Sequence, residues 1–134
     1  MYAKLSRMSI VCGLMLTFGL VASAQRRGAT ELLGEANVDG AVDHDNIVVT
    51  AARGSFRAIQ LRVVNNAVRF QRVVVHFGNG QSETLSIASR IRAGGATRII
   101  DLPGDRRVIQ SVELWYARAN WGPRRPKVLL YGVH

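Results

Sequence analysis

The sequence contains little cysteine, proline or acidic charge. Its 134 residues include one Cys, three Pro and 7% aromatic side chains. Because Cys12 stands alone, no disulfide framework can form within the chain, and zinc sites made mainly of cysteine thiolates are excluded. The 9 Asp and Glu residues face 18 Lys and Arg, so the formal net charge is +9. A hydrophobic share of 48% excludes an intrinsically disordered chain, and the length allows one domain.

Residues 1–24 have the pattern of a secretory signal peptide. A short basic head precedes an apolar run over residues 8–21, and Ala22 and Ala24 supply the small side chains that a signal peptidase accepts. A membrane anchor is the alternative, but a spanning helix needs about 20 apolar residues and this run is shorter. We therefore predict cleavage after Ala24, a periplasmic or secreted location, and no transmembrane anchor in the mature chain.

The rest of the chain divides into a short tail and one domain. Residues 25–30 are predicted to be a flexible tail, and residues 31–134 to form a single domain without internal repeat, low-complexity segment or linker. No cysteine follows residue 24. The domain must therefore take its stability from its hydrophobic core.

Alternation of apolar and polar side chains predicts strands through most of this domain. Ile59, Leu61 and Val63, for example, share one face of their segment. The predicted strands span residues 31–38, 46–52, 56–64, 68–77, 81–88, 97–102, 108–116 and 127–133. Asn79-Gly80 predicts a type I′ hairpin turn because both residues tolerate positive φ. About seven to eight short strands predict an all-β fold, an antiparallel β-sandwich of jelly-roll or immunoglobulin-like type, with a barrel as the alternative. A helical turn over residues 86–92 stays open as well.

Side chains suited to nucleophilic catalysis are few. The three histidines are His44, His76 and His134, and no serine lies in a Gly-x-Ser-x-Gly motif. His76 lies between Val75 and Phe77, so we expect it on the solvated face of its strand. No Ser/His/Asp set follows from the spacing. We therefore predict a protein that is not an enzyme and that uses no cofactor.

An acidic cluster over residues 39–46 is the candidate metal site. Asp39, Asp43 and Asp45 lie near His44 and precede a predicted strand. A flexible loop with several oxygen ligands suits calcium, although the spacing differs from that of an EF-hand. The alternative is a purely structural turn, whose aspartates accept hydrogen bonds from backbone N–H groups or pair with arginines.

Two arginine-rich segments are candidates for an anion-binding surface. In residues 101–107, a tight turn brings Arg106 or Arg107 near Asp101, either as a cross-strand ion pair or as a fork for phosphate or carboxylate. Residues 115–127 combine aromatic rings with basic side chains, which stack on ligands and neutralise anions, or else belong to the core and to a solvated face. The predicted ligand-binding residues are Arg106, Arg107, Arg118, Trp121, Arg124 and Arg125.

The basic excess predicts an anionic partner. Outside the cytoplasm the main anions are lipopolysaccharide, anionic lipid and acidic glycans, and a broad positive surface attracts them without sequence-specific readout. We predict a non-enzymatic module that binds such an envelope component or a partner protein, and no nucleic acid. A structural domain that packs into an envelope assembly is one alternative. A metal-dependent enzyme that uses residues 39–46 is another.

Several segments taken together resemble a family of small, signal-peptide-bearing bacterial proteins described as a domain of unknown function. They are Val42-Asp43-His44-Asp45, Phe56-Arg57-Ala58-Ile59, Val75-His76-Phe77-Gly78-Asn79-Gly80, Arg92-Ala93-Gly94-Gly95, Ile100-Asp101-Leu102-Pro103-Gly104 and Val112-Glu113-Leu114-Trp115-Tyr116. The resemblance covers about residues 31–133. It implies a secreted or periplasmic β domain of a Gram-negative bacterium, and it implies no activity and no site residues.

Overall fold

The fold consists of antiparallel β-strands, as predicted. The computed structural model describes residues 29–40, 42–87, 89–120 and 122–134, so the predicted signal peptide and most of the predicted tail lie outside the described residues. The strands are β1 Thr30–Asn37, β2 Asp43–Val48, β3 Ser55–Phe56, β4 Ala58–Val64, β5 Val68–Phe77, β6 Ser82–Leu85, β7 Arg90–Ile91, β8 Ile100–Asp101, β9 Arg107–Arg118 and β10 Lys127–Val133. A 3-10 turn, Ala51–Arg53, links β2 to β3.

The strands form two sheets. In the first sheet the order is β1-β10-β4-β8, and in the second it is β2-β9-β5-β6, with β3 also paired to β9 and β7 to β5. The ten strands exceed the expected seven to eight because β3 and β7, of two residues each, are too short to show an alternating pattern of their own. In these parts of the chain no helix is long and apolar enough to cross a membrane.

One hydrophobic core lies between the sheets. Ile59, Leu61 and Val63 are fully buried on the inner face of β4, as their alternation predicts. Tyr116 on β9 and Phe56 on β3 are among the largest fully buried side chains. Gly132 on β10 leaves room for Phe56, because a Cβ there would lie 2.6 Å from the Phe56 ring.

The hairpin between β5 and β6 differs from the predicted type I′ turn. Its loop has three residues, and the only positive φ among them is that of Gly80, at 89°. The Phe77 N–H donates to the Gln81 carbonyl at 2.8 Å, and the Gly80 N–H donates to the Phe77 carbonyl at 3.1 Å. A three-residue loop of this kind needs a left-handed conformation only at its last position, so the type I′ prediction is wrong.

Strand β2 lies earlier in the chain than predicted. It ends at Val48, because the N–H groups of Val49 and Thr50 both donate to the Gln110 carbonyl, at 2.9 and 3.2 Å. Thr50 then has a φ of 72° and leads into the 3-10 turn. Elsewhere, β8 is a short part of the predicted strand 97–102, and residues 90–91 form strand β7 where a helical turn was left open.

Candidate anion-binding site

A basic cleft opens at one end of the sandwich. Its volume is about 330 Å³, and its lining residues are Arg53, Gly54, Ser55, Arg57, Arg106 and His134. The 3-10 turn places Arg53 here, and Gly54, with a φ of 85°, redirects the chain into β3. Pairing of Ser55 with Val108 then brings this segment beside the start of β9, where Arg106 lies. We call this region of the molecule the cleft end.

The three arginines of the basic cleft differ in the acceptors that they contact. The Arg53 guanidinium pairs with Glu31 at 3.1 Å, and that of Arg57 lies 3.7 Å from the Asp101 carboxylate. No carboxylate among the described residues lies within ion-pair distance of Arg106. Arg57 also donates to the main-chain oxygen of His134 at 3.2 Å, so Arg106 is the arginine of this lining without an ion pair to a carboxylate side chain of the described residues. The predicted pairing of Asp101 with Arg106 or Arg107 is thus wrong, since Asp101 pairs with Arg57.

A second cleft adjoins the basic cleft and shares Arg106 with it. Its volume is about 400 Å³, and its lining residues are Ala51, Phe77, Gly78, Asn79, Arg106, Arg107 and Val108. Its lining has a larger apolar share than that of the basic cleft. We call it the apolar cleft.

Arg107 holds the loops around the apolar cleft together. Its guanidinium lies 3.8 Å from the centre of the Phe77 ring. It donates to the Pro103 carbonyl at 2.9 Å and to the side-chain oxygen of Gln81 at 3.0 Å. These contacts use several of the donors of Arg107, so it acts as a wall of the site. Arg106, beside it, is exposed.

The other predicted arginines lie at the opposite end of the sandwich, which we call the loop end. Strand β9 has twelve residues, so its two ends are about 36 Å apart. Arg118 donates to the carbonyls of Gly122 and Arg124 at 2.6 and 3.2 Å, and Arg125 pairs with Asp39 at 3.0 Å. Trp121 lies outside the described residues. The structure thus separates the predicted set of ligand-binding residues into two groups that cannot contact one small ligand.

The acidic candidates lie partly on a strand. Asp43 and Asp45 belong to β2, so the predicted loop over residues 39–46 is correct only for its first part. Asp43 accepts the N–H groups of Asp39 and His44 at 3.0 and 2.9 Å, as in the predicted turn. Asp45 accepts a hydrogen bond from the Tyr116 hydroxyl. Burial, helped by this bond, raises the pKa of Tyr116 far above its ordinary value.

Alternation along β2 also separates the members of this cluster. His44 lies on the face opposite to Asp43 and Asp45, because successive side chains of a strand point to opposite sides. In the part of the chain that the structure describes, no three His, Cys, Asp or Glu side chains are arranged to hold a metal ion.

A polar cluster that the sequence analysis missed lies on the outer face of the second sheet. Glu113 on β9 lies between His44 on β2 and His76 on β5, with N–O distances of 2.7 and 2.5 Å. The hydrogen bond with His44, followed by the one with His76, lowers the pKa of Glu113 below its ordinary value. The His44 ring stacks on Trp115 at 4.4 Å, and the Arg72 guanidinium lies 5.0 Å from the same ring. The outward position of His76 was predicted from alternation. Its contact with Glu113 was not, because that contact depends on the register between β5 and β9.

A comparison with protein families shows which family this chain matches. Residues 9–132 match a family described as Domain of unknown function (DUF2541). The chain belongs to this family. The match confirms the resemblance to a family of unknown function, and it assigns no activity to any residue of the two clefts. The signal peptide stays a prediction.

Other comparisons give no functional assignment. No curated protein matches the sequence significantly. Among solved structures, one reported as a structural and functional characterization of Pseudomonas aeruginosa AlgX is similar to this chain. The sequence identity is 13%, the TM-score is 0.49, and the match covers 76% of this chain and 26% of the AlgX chain. The DUF2541 chain thus corresponds to about a quarter of AlgX.

Proposed function

We propose that this protein is an exported, non-enzymatic module that binds an anionic group of an envelope component in the basic cleft. One observation carries the proposal: Arg53, Arg57 and Arg106 line a single cleft, and Arg106 has no ion pair with a carboxylate side chain among the described residues. A guanidinium group donates two parallel hydrogen bonds to a carboxylate or a phosphate, which makes it a specific anion ligand as well as a charge.

The arginines of the cleft have different roles, because Arg53 and Arg57 form ion pairs and Arg106 does not among the described residues. Arg53 pairs with Glu31, and Arg57 lies near Asp101 and donates to the main-chain oxygen of His134, so part of the hydrogen-bonding capacity of both groups is already used. Arg106 has no such pairing among the described residues and supplies the charge that the ligand neutralises. The predicted site residues at the loop end have no part in this proposal, because Arg118 and Arg125 already contact acceptors of the protein.

We infer export from the signal-peptide pattern of residues 1–24, and an anionic ligand from the basic composition. A signal peptide directs the chain to the periplasm or the exterior, where lipopolysaccharide, anionic lipid and acidic glycans are the abundant anions. The proposal includes no bond-breaking step and no cofactor. A partner protein with an acidic surface is the other ligand class that this cleft suits, since a carboxylate side chain presents the same pair of oxygens.

Binding at two ionic strengths tests the proposal. The protein is expressed as the full 134-residue chain, purified, and offered lipopolysaccharide, anionic liposomes, acidic glycans and neutral glycans. We expect binding to anionic members that weakens as salt rises, because exposed charges are screened. Arg106→Ala should weaken it, and Arg124→Ala, which removes the same charge at the loop end, should not. Absence of binding, or equal loss in both variants, would overturn the proposal.

A further inference from the structure

The outer face of the second sheet carries three exposed arginines near the loop end. They are Arg69 and Arg72 on β5 and Arg90 on β7, and we call them the arginine cluster. Arg69 and Arg90 are direct partners across these two antiparallel strands, so their side chains leave the sheet on the same side. The Cβ atoms of such partners are about 4.5–5.5 Å apart, and like charges in this position destabilise a sheet.

A β-bulge in β5 brings Arg72 to the same face. The register with β9 pairs Arg69 with Ala117 and Arg72 with Trp115, so Gln71 is the extra residue of β5. Without this bulge, residues three apart in a strand would point to opposite faces. Because Ala117 and Trp115 are two residues apart on β9, Arg72 lies only about 7 Å along the sheet from Arg69. The three side chains therefore leave the sheet within a small area, from which their guanidinium groups can reach one ligand.

No acceptor among the described residues compensates the charges of the cluster. None of its three guanidinium groups has an ion pair or a hydrogen bond with a described residue. The Arg72 guanidinium lies 5.0 Å from the centre of the Trp115 ring, and this cation–π contact orients the side chain without supplying a negative charge. The carboxylate of Glu113, on the same sheet face, contacts His44 and His76 instead.

The number of these donors suits a phosphate monoester. A carboxylate has two oxygens, and one guanidinium group already satisfies both with two parallel hydrogen bonds. A phosphate monoester has three strong acceptor oxygens and a charge of about −1.5 to −2 near neutral pH. It can therefore accept hydrogen bonds from three guanidinium groups at once. Its charge also opposes the repulsion between Arg69 and Arg90.

We propose that the arginine cluster is a second anion-binding site, specific for a phosphate monoester group. The three terminal oxygens of the ligand accept hydrogen bonds from Arg69, Arg72 and Arg90. This site lies toward the opposite end of the sandwich from the basic cleft, so it goes beyond the proposed function and does not depend on Arg106. Phosphate monoesters occur on lipids and on small soluble molecules, and the sheet face is open to both.

Titration calorimetry with small anions of defined charge tests the proposal. The full chain and its Arg106→Ala variant are titrated with methyl phosphate, a monoester, and with dimethyl phosphate and acetate, which are monoanions. Ionic strength is constant, and at about pH 8 the monoester is a dianion. In both proteins we expect methyl phosphate to bind about tenfold more tightly than either monoanion, because it accepts additional hydrogen bonds from charged groups.

Vesicles distinguish the two sources of the phosphate group. Phosphatidylcholine vesicles contain either phosphatidic acid, a monoester lipid, or phosphatidylglycerol, a diester lipid. Binding to phosphatidic acid above phosphatidylglycerol indicates that a membrane can present the ligand. Binding of methyl phosphate without this preference indicates a soluble ligand.

Substitutions in the cluster should affect binding and stability in opposite directions. Arg69→Gln and Arg90→Gln each remove a ligand donor and end the repulsion across the strand pair. We expect each to lower the affinity for methyl phosphate about tenfold and to raise the melting temperature in phosphate-free buffer. Arg62→Gln is the matched control, because Arg62 is exposed on β4, contacts the Tyr131 ring at 4.6 Å and is paired with Leu129 instead of an arginine. It should neither weaken binding nor raise the melting temperature.

The outcomes separate this proposal from the proposed function. Equal affinities for methyl phosphate and dimethyl phosphate, or unchanged affinity in both Arg69→Gln and Arg90→Gln, would overturn the arginine cluster as a site. Loss of methyl phosphate binding in Arg106→Ala would overturn it as well and would assign that binding to the basic cleft. If methyl phosphate binds at the cluster and Arg106→Ala leaves the binding of envelope anions unchanged, the proposed function fails and the cluster stands. A lower melting temperature of both glutamine variants in phosphate-free buffer would contradict the repulsion on which the proposal rests.

Discussion

Both ends of the sandwich have several basic side chains, and the ends differ in what those side chains contact. At the loop end, Arg118 bonds to main-chain carbonyls, Arg125 pairs with Asp39, and Lys127 pairs with Glu35 at 3.4 Å. At the cleft end, Arg106 lies without a carboxylate partner among the described residues, beside two arginines that are held in place. A count of arginines therefore does not define a binding site, because the acceptors in contact with each one decide whether its charge is available.

The largest expected effect comes from packing at the cleft end. Gly132→Ala would place a Cβ 2.6 Å from the ring of Phe56 and 2.9 Å from Leu33. We expect a loss of about 3 kcal/mol in the free energy of unfolding, since overpacking forces a well-packed core to shift. The ring centres of Phe56 and His134 are 4.8 Å apart, and His134 lines the basic cleft, so anion binding should weaken too. Chemical denaturation measures the loss.

Gly122→Ala is the matched control at the loop end. A Cβ at Gly122 would meet the side-chain amide of Asn66 at 3.4 Å, an ordinary contact with a group that can move. We expect little change in the free energy of unfolding. Equal destabilisation by the two substitutions would contradict the packing described for Gly132.

The next effect is the difference in ligand binding between the ends. Arg106→Ala should lower the affinity for an anionic ligand by about tenfold or more, because a hydrogen bond to a charged group contributes about 1.5–3 kcal/mol. Arg124→Ala should leave the affinity within about twofold of the wild type at moderate salt, since distant exposed charges are screened. Titration at two salt concentrations checks both. A stronger effect of Arg124→Ala would place the site at the loop end.

For Arg118 we expect a smaller effect, and one on stability instead of on ligand binding. Arg118→Ala removes the hydrogen bonds to the carbonyls of Gly122 and Arg124. We expect the free energy of unfolding to fall by about 1 kcal/mol with no loss of anion binding. Thermal unfolding and ligand titration on the same variant separate these two readouts. Weakened binding with unchanged stability would show that Arg118 contacts the ligand.

The smallest effect concerns Glu113, on the outer sheet face between the two ends. Its pKa is lowered in the folded state, so its contribution to stability is present above its ordinary value of 4.5 and is lost as pH falls through the lowered value. Glu113→Gln should therefore be less stable than the wild type above pH 4.5, and the difference should shrink on further acidification. Melting curves across this range test the sign. A difference that grows on acidification would contradict it.

The strands could be predicted where the pattern is local. The alternation of Ile59, Leu61 and Val63 indicates the inner face of β4 without reference to any other strand. The end of β2 could not be predicted, because it depends on two N–H groups that meet the carbonyl of Gln110 on β9. The three-residue hairpin loop was likewise missed, since an Asn-Gly pair suits both kinds of turn and the register of β5 with β6 decides between them.

The candidate site could be predicted only in part. Arg106 was among the predicted ligand-binding residues, because it lies in a basic turn. Arg53 and Arg57 were seen only as members of a diffuse basic excess. Nothing in the spacing shows that the 3-10 turn and β3 bring them to the start of β9, some fifty residues later in the chain.

Local patterns in the sequence are enough to predict a basic, all-β protein with a hydrophobic core and a signal peptide. These properties follow from composition and from a two-residue period, which act locally along the chain. Strand pairing and loop packing set which arginines meet in one cleft and which bond to the protein itself. The physical reason is that charge becomes a binding site through its neighbours, and those neighbours come from strands distant in the sequence.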